Sequence, residues 1–339
     1  MSKPWTVIIS CEHASRALPP EWVKIVGTEV QRRGSVGTEG QRRGSVGTEV
    51  QRHKGTESEG WKTEGRGQKA EVGGGVGTES DLRQGSAGAS PASLPQIGQA
   101  GHAPFEHGSA GDSPASFPQI GQAGHAPLEE HRWWDPGAKT IASALGSRLL
   151  CPIFFGHYSR LLIDLNRSPE NPQRWSEFTQ SLTAEEKKLI EDTCYWPYWS
   201  RVHQTVAHKL SAGNRVLHLS IHSFTPVLNG AVRTMDMGLL FDPSRELEVC
   251  FCNDWGAQLT AALPAMTVAH NEPYRGTDDG LTTYLRHRFA DTDYAGVEFE
   301  LNFKHVHSDT WNETAERIVE ATVKAVGRQL GTAGHLHRE

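Results

Sequence analysis

Between Trp22 and Trp133 the chain repeats itself, and that tract limits how much of its 339 residues can build a core. VGTEVQRRGS begins at Val26 and returns as VGTEGQRRGS at Val36 and VGTEVQRHKG at Val46. SPASLPQIGQAGHAP begins at Ser90 and comes back as SPASFPQIGQAGHAP at Ser113. Both tracts are rich in Gly, Ser, Gln and Glu and poor in large apolar side chains, so they bury too little surface to offset the entropy of ordering. Copies of ten residues without an apolar stripe also lack the shared core that a solenoid needs. Residues 27–130 are therefore expected to be a disordered repetitive insert. Residues 1–26 and 131–331 should form one domain of roughly 235 residues or a little less, an ordinary size, and residues 332–339 a flexible tail.

The formal net charge of −6 and the lack of a long basic block argue against nucleic acid as a partner, since phosphate binding needs a basic face. No apolar run reaches the roughly 18 residues of a membrane span. The first residues lead straight into a strand pattern rather than a signal peptide. Five scattered cysteines, an odd number, fit reduced thiols in the cytoplasm better than a disulfide framework. Cys250 and Cys252 form a C-x-C pair, which reads either as a metal pair or as small packed side chains.

Outside the insert, strand and helix patterns alternate. Residues 5–10, 161–165, 216–221, 237–241, 266–270 and 297–301 read as strands. Asp135-Pro136 opens a helix, with Asp135 as its N-cap and Ile141, Leu145 and Leu149 on its buried face. Thr183 with Glu186 makes a capping box before a helix of roughly 25 to 30 residues. Thr310 with Glu313 makes another before a helix that stops near Gly331. The expected fold is α/β: a mixed, mostly parallel sheet flanked by helices, with ligands bound beyond the strand carboxyl ends.

Polar residues gather where those strands end. Glu12 and His13 follow the first, and His222 follows the strand at 216–221. In the strand at 297–301, alternation puts Glu298, Glu300 and Asn302 on one side and Val297, Phe299 and Leu301 on the other. Carboxylates buried beside apolar neighbours are costly unless paired or functional. In a parallel sheet Glu12, His13, His222 and Glu300 could share one cleft. Two histidines, a carboxylate and an open position make a catalytic zinc site, with Glu300 as the general base and acid. The alternatives stay open: histidines that are hydrogen-bonded structural residues, Glu12 paired with an arginine, Glu300 paired with Arg167, and Asp135 as a cap rather than a metal or substrate contact. Arg160, Arg167 and Arg275 are candidates for gripping a substrate carboxylate bidentately, or plain surface ion pairs.

Six short stretches in this order carry a resemblance. They are Ser10-Cys11-Glu12-His13-Ala14-Ser15, Trp134-Asp135-Pro136-Gly137-Ala138, the run 159–168 containing Asp164-Leu165-Asn166-Arg167, Ile221-His222-Ser223-Phe224-Thr225-Pro226, Asn271-Glu272-Pro273-Tyr274-Arg275-Gly276, and Gly296-Val297-Glu298-Phe299-Glu300-Leu301-Asn302. Together they resemble the N-formylglutamate amidohydrolase family, which is similar to the zinc carboxypeptidases. Asp164-Leu165-Asn166-Arg167 is similar to the stretch with which those enzymes hold a substrate carboxylate. Phe299-Glu300-Leu301 is similar to the strand carrying their catalytic glutamate, and His222 matches their late histidine ligand. Their early ligands are spaced H-x-x-E, whereas here Glu12 directly precedes His13. The resemblance implies Zn2+ held by Glu12, His13 and His222, with Asp135 and Glu298 as further candidates. It implies hydrolysis of a short N-acyl amide on a small acidic amino acid, above all N-formylglutamate to formate and glutamate, a step in histidine breakdown. Arg160, Asn166, Arg167 and Arg275 would bind the substrate.

Overall fold

The computed structural model describes residues 3–20, 22–23 and 132–331. The expectations for residues 27–130 and 332–339 lie outside the described residues. In chain order the elements are β1 (Trp5–Cys11), α1 (Ala138–Leu149), β2 (Ile153–Phe155), α2 (Ala184–Ile190), α3 (Trp196–Ser211), β3 (Arg215–Phe224), β4 (Val227–Leu228), β5 (Ala231–Val232), β6 (Met237–Leu240), α4 (Glu246–Ala262), β7 (Val268–His270), α5 (Leu281–Arg286), β8 (Tyr294–Asn302) and α6 (Trp311–Gln329).

Six strands form one mixed sheet in the order β2-β1-β3-β8-β6-β7. β2, β1, β3 and β8 run parallel; β6 is antiparallel to β8, and β7 is parallel to β6. β4 and β5 make a separate antiparallel hairpin. β1, β3 and β8 are adjacent and parallel, so their carboxyl ends reach one edge together; the register sets His222 beside Glu300.

Alternation along these strands sorts the core into two layers. Val7, Ile9, Leu217, Leu219, Ile221, Val297, Phe299 and Leu301 join α1, α4 and α6 on one face. Ile8, Val216 and Tyr294 pack on the other against Trp199, Tyr198 and the segment at 161–165. That second face also carries the polar residues Ser10, His218, Ser220, His222, Glu298 and Glu300, all buried.

The 161–165 segment is not a strand: it is a buried run of turns. It has no sheet neighbour. Its backbone is satisfied by Ser176 Oγ on the Leu161 carbonyl, by the Trp199 indole N–H on the Leu165 carbonyl (2.9 Å), and by the Asp164 N–H on the Arg174 carbonyl (2.8 Å). Apolar content alone does not separate such a segment from a strand. Asp135 likewise does not cap α1. Gly137 does, at φ 80°, a conformation that favours glycine, and a side chain there would meet Val306 Cγ2 at 2.7 Å. The capping box at Thr183 and Glu186 is formed. It starts a helical run from α2 through a π-helical turn (Glu191–Tyr195) into α3. The box at Thr310 is not: its side chain caps nothing, and Glu313 pairs instead with Arg317 (2.6 Å). The C-x-C pair lies within α4, where residues two apart point to different sides; Cys250 is exposed and Cys252 buried.

One ionic network was not anticipated from sequence. Glu248, fully buried, accepts from Arg286 Nε (3.0 Å) and the backbone N–H groups of Gly296 (3.0 Å) and Asp242 (2.9 Å), with Arg245 Nε 3.4 Å away. It locks α4, α5 and β8 together and so anchors the 271–286 stretch beside the sheet edge.

Candidate active site

Three strand ends and one docked loop assemble the site. β1 delivers Glu12 and His13, β3 delivers Ser220 and His222, and β8 delivers Glu298 and Glu300. The Asp135 N–H donates to the His13 carbonyl (3.0 Å), which fixes the loop before α1 against the end of β1. This brings the Asp135 carboxylate between two imidazoles: Oδ2 is 3.2 Å from His13 Nδ1 and 2.8 Å from His222 Nδ1. Among the described residues, His13, Asp135 and His222 are the group whose ligand atoms could converge on one metal ion, all within 4.8 Å of one another and all buried.

The far nitrogen of each ring also meets a carboxylate. His13 Nε2 lies 2.6 Å from Asp164 Oδ1, and His222 Nε2 lies 3.0 Å from Glu12 Oε2 and 2.9 Å from Ser220 Oγ. Glu12 in turn accepts from Ser220 (2.7 Å) and Tyr198 (3.2 Å), and Asp164 from Arg160 (2.8 Å). Each histidine thus has one carboxylate shared at the centre and one private carboxylate behind it. An outer carboxylate of this kind fixes a ring's tautomer and orientation. Glu12 lies in that outer position rather than in the converging group, and Asp135 lies in the group.

Electrostatics follow the same division. Burial pushes Asp135, Glu12 and Asp164 up, but bonds and charge from the histidines, and from Arg160 for Asp164, outweigh it and hold all three carboxyls low, Glu12 at about 2. Burial lowers His222, yet its bonds to Asp135 and Glu12 raise it well above an ordinary histidine. Glu300 has no such support. Burial pushes its carboxyl up to about 8, the His222 charge opposes that, and the charges of Asp135 and Glu298 add to it. Among the described residues nothing hydrogen-bonds to the buried Glu300 Oε2. The site therefore fits a divalent cation on two counts. The donor set is two imidazoles and a carboxylate, and negative charge exceeds what two rings and one guanidinium offset.

The remaining residues selected from sequence are spread around this centre. Asn166 bridges His222 Nε2 (3.4 Å) and Glu298 Oε2 (3.5 Å), and its Oδ1 accepts from the Leu281 N–H (2.9 Å). Glu298 also accepts from Thr282 (2.5 Å). Arg160 faces Asp164 and, at 3.6 Å, Asp135 Oδ1. Arg167 does not pair with Glu300; its guanidinium donates to the backbone carbonyls of Asn166 (2.8 Å) and Asp279 (3.3 Å). Arg275 is exposed. Sequence reasoning gave no role of their own to Asp164, Ser220 and Tyr198. Ser220 had a signal, since alternation puts it on the His222 face of β3.

Comparison with known proteins follows this geometry. Residues 106–305, more than half of the chain, match the model of the N-formylglutamate amidohydrolase family, and the chain belongs to that family. Its class is thus that of amide-hydrolysing enzymes. A solved gene product of Agrobacterium tumefaciens is 27% identical, aligned over 59% of this chain and 80% of its own, with a TM-score of 0.48. A solved N-formylglutamate amidohydrolase from Ralstonia eutropha JMP134 is 16% identical over 58% of this chain and 84% of its own, again at 0.48. No curated protein matches. Among the described residues no helix is long and apolar enough to cross a membrane.

Proposed function

We propose that this chain hydrolyses the N-formyl amide of a small acidic amino acid, N-formylglutamate first, to formate and the free amino acid, using Zn2+ held by His13, Asp135 and His222. The observation that carries this reading is the convergence of those three residues beside Glu300, a buried carboxyl with a partnerless oxygen. When bound there, zinc would polarise the amide carbonyl and make water a stronger acid.

The chain's own residues supply the rest. Glu300, raised to about 8 by burial, can both release and take up a proton near neutral pH. It takes the proton of the attacking water and hands it to the leaving nitrogen. Glu12, held by Ser220 and Tyr198, keeps the His222 ring turned so that Nδ1 faces Asp135. Asp164, held by Arg160, does the same for His13. Among the described residues Arg167 donates to backbone carbonyls, which leaves donors for a substrate carboxylate, and Asn166 steadies Glu298.

The test measures metal content of the purified chain and N-formylglutamate hydrolysis on the same sample. About one zinc per chain, with activity lost on chelation and regained with zinc, is the expected result. A folded protein that takes up no metal and turns over no formyl amino acid would sink the reading.

A further inference from the structure

Arg233 follows the β4–β5 hairpin, which leaves β3 just beyond His222. Its guanidinium lies 5.6 Å from the Phe224 ring centroid and 5.0 Å from that of Tyr274, and Nη1 donates to the Tyr274 hydroxyl (3.0 Å). No carboxylate of the described residues lies within ion-pair distance of it, unlike Arg160, whose charge is committed to Asp164 and Asp135. The two rings orient the cation at little entropic cost while most of its donors stay unused.

This cation stands beside the chemistry. Tyr274 belongs to the loop that crosses β6 at Gly238, where any side chain would meet the Glu272 carbonyl at 2.0 Å and Glu300 Cβ at 3.4 Å. Glycine there lets the loop lie against Glu300, and the Tyr274 hydroxyl, raised chiefly by burial, feels the charges of Glu300, Arg233 and Arg160. The Arg233 carbonyl accepts from Asn302 Nδ2 (3.3 Å) at the end of β8, two residues beyond Glu300.

We infer that Arg233, backed by Phe224 and Tyr274, receives the second carboxylate of the substrate and makes this site selective for N-acyl dicarboxylic amino acids over monocarboxylic ones. This rests on the reading of the site as an amidohydrolase centre. It adds Arg233 to Arg160, Arg167 and Arg275, the arginines that sequence offered for holding a substrate carboxylate.

Two measurements on the full chain test it. The first compares N-formylglutamate with N-formylglutamine, which replaces the side-chain carboxylate by an amide of equal size. For Arg233→Gln, kcat/KM on the diacid should fall on the order of tenfold to a hundredfold, through KM, as expected for a lost bond to a charged group. The amide substrate should change less than about twofold, and Arg233→Lys should recover part of the loss. Equal losses on both substrates, or an undiminished preference for the diacid, would overturn the assignment. The second is calorimetric binding of glutarate and of its monoamide, which need no turnover. Weaker glutarate binding by Arg233→Gln with unchanged monoamide binding supports the subsite even if no amide is hydrolysed. Identical glutarate binding by both proteins refutes it even if the hydrolase reading holds.

Discussion

Glu300 concentrates the residue-scale argument, because its two expected effects run in opposite directions. Glu300→Gln should lower kcat by a factor on the order of 10² to 10⁴, the usual worth of a positioned acid and base, with a small change in KM. In chelated protein the same substitution should not destabilise. The folded carboxyl titrates at about 8 and an exposed one near about 4. Folding therefore holds an extra proton between those values, and the parent loses stability as pH rises from the lower to the upper. The variant lacks that slope, so its melting temperature should exceed the parent's at pH 9, and the two should converge below about pH 4. A variant both inactive and less stable at pH 9 would mean that Glu300 serves the fold. The position was legible in sequence because alternation in β8 separates Glu298 and Glu300 from Val297, Phe299 and Leu301, and the structure keeps that division. Asp164 was not. It stands in an apolar run that reads as a strand, and its partner His13 is 151 residues away. Nor could local sequence tell that Asp135 turns from the α1 terminus toward two histidines, since a cap and a buried ion partner are spelled alike.

At the scale of elements, two capping boxes with the same spelling behave differently, and the backbone says why. Thr183 is extended, with φ −63° and ψ 163°, as a reciprocal box requires; Thr310, at φ −92° and ψ 8°, is not. Thr183→Ala should cost about 1 kcal/mol, lowering Tm by about 2–4 °C for a folded unit of roughly 150–250 residues. Glu313→Gln loses only an exposed pair with Arg317 and should stay within about 0.5 kcal/mol. Thermal unfolding of both variants checks this; equal losses would mean that the second box forms in solution. Strand identity was legible wherever apolar residues alternate or run between turn residues. It failed at 161–165, where a buried segment meets its hydrogen-bonding needs through Ser176, Trp199 and Arg174 rather than through a neighbouring strand.

At the scale of the whole molecule, the site is built from two pieces of chain that the repeats separate. β1 lies between β2 and β3, and Trp22 and Trp133 both pack in the cluster on the Trp199 face, so the segment before the repeats belongs to the same folded body as the segment after them. Glu12 and His13 come from the first piece, and Asp135, Asp164, His222 and Glu300 from the second. Loop-closure cost rises only with the logarithm of length, about 0.6 kcal/mol per doubling. Replacing residues 27–130 by a linker of about six residues shortens the connection by about four doublings, so the deletion should stabilise by about 2 kcal/mol. Urea unfolding is expected to stay a single transition with its midpoint raised, and zinc uptake should persist at one ion per chain. The family match begins at residue 106, so a second deletion, of 27–105, separates three outcomes. If both shortened chains fold and bind zinc, the repeats are dispensable to fold and centre alike. If only the smaller deletion does, residues 106–130 supply contacts to the domain. If neither folds, the two pieces depend on the tract between them, and the single-domain boundary drawn at residues 26 and 131 is wrong.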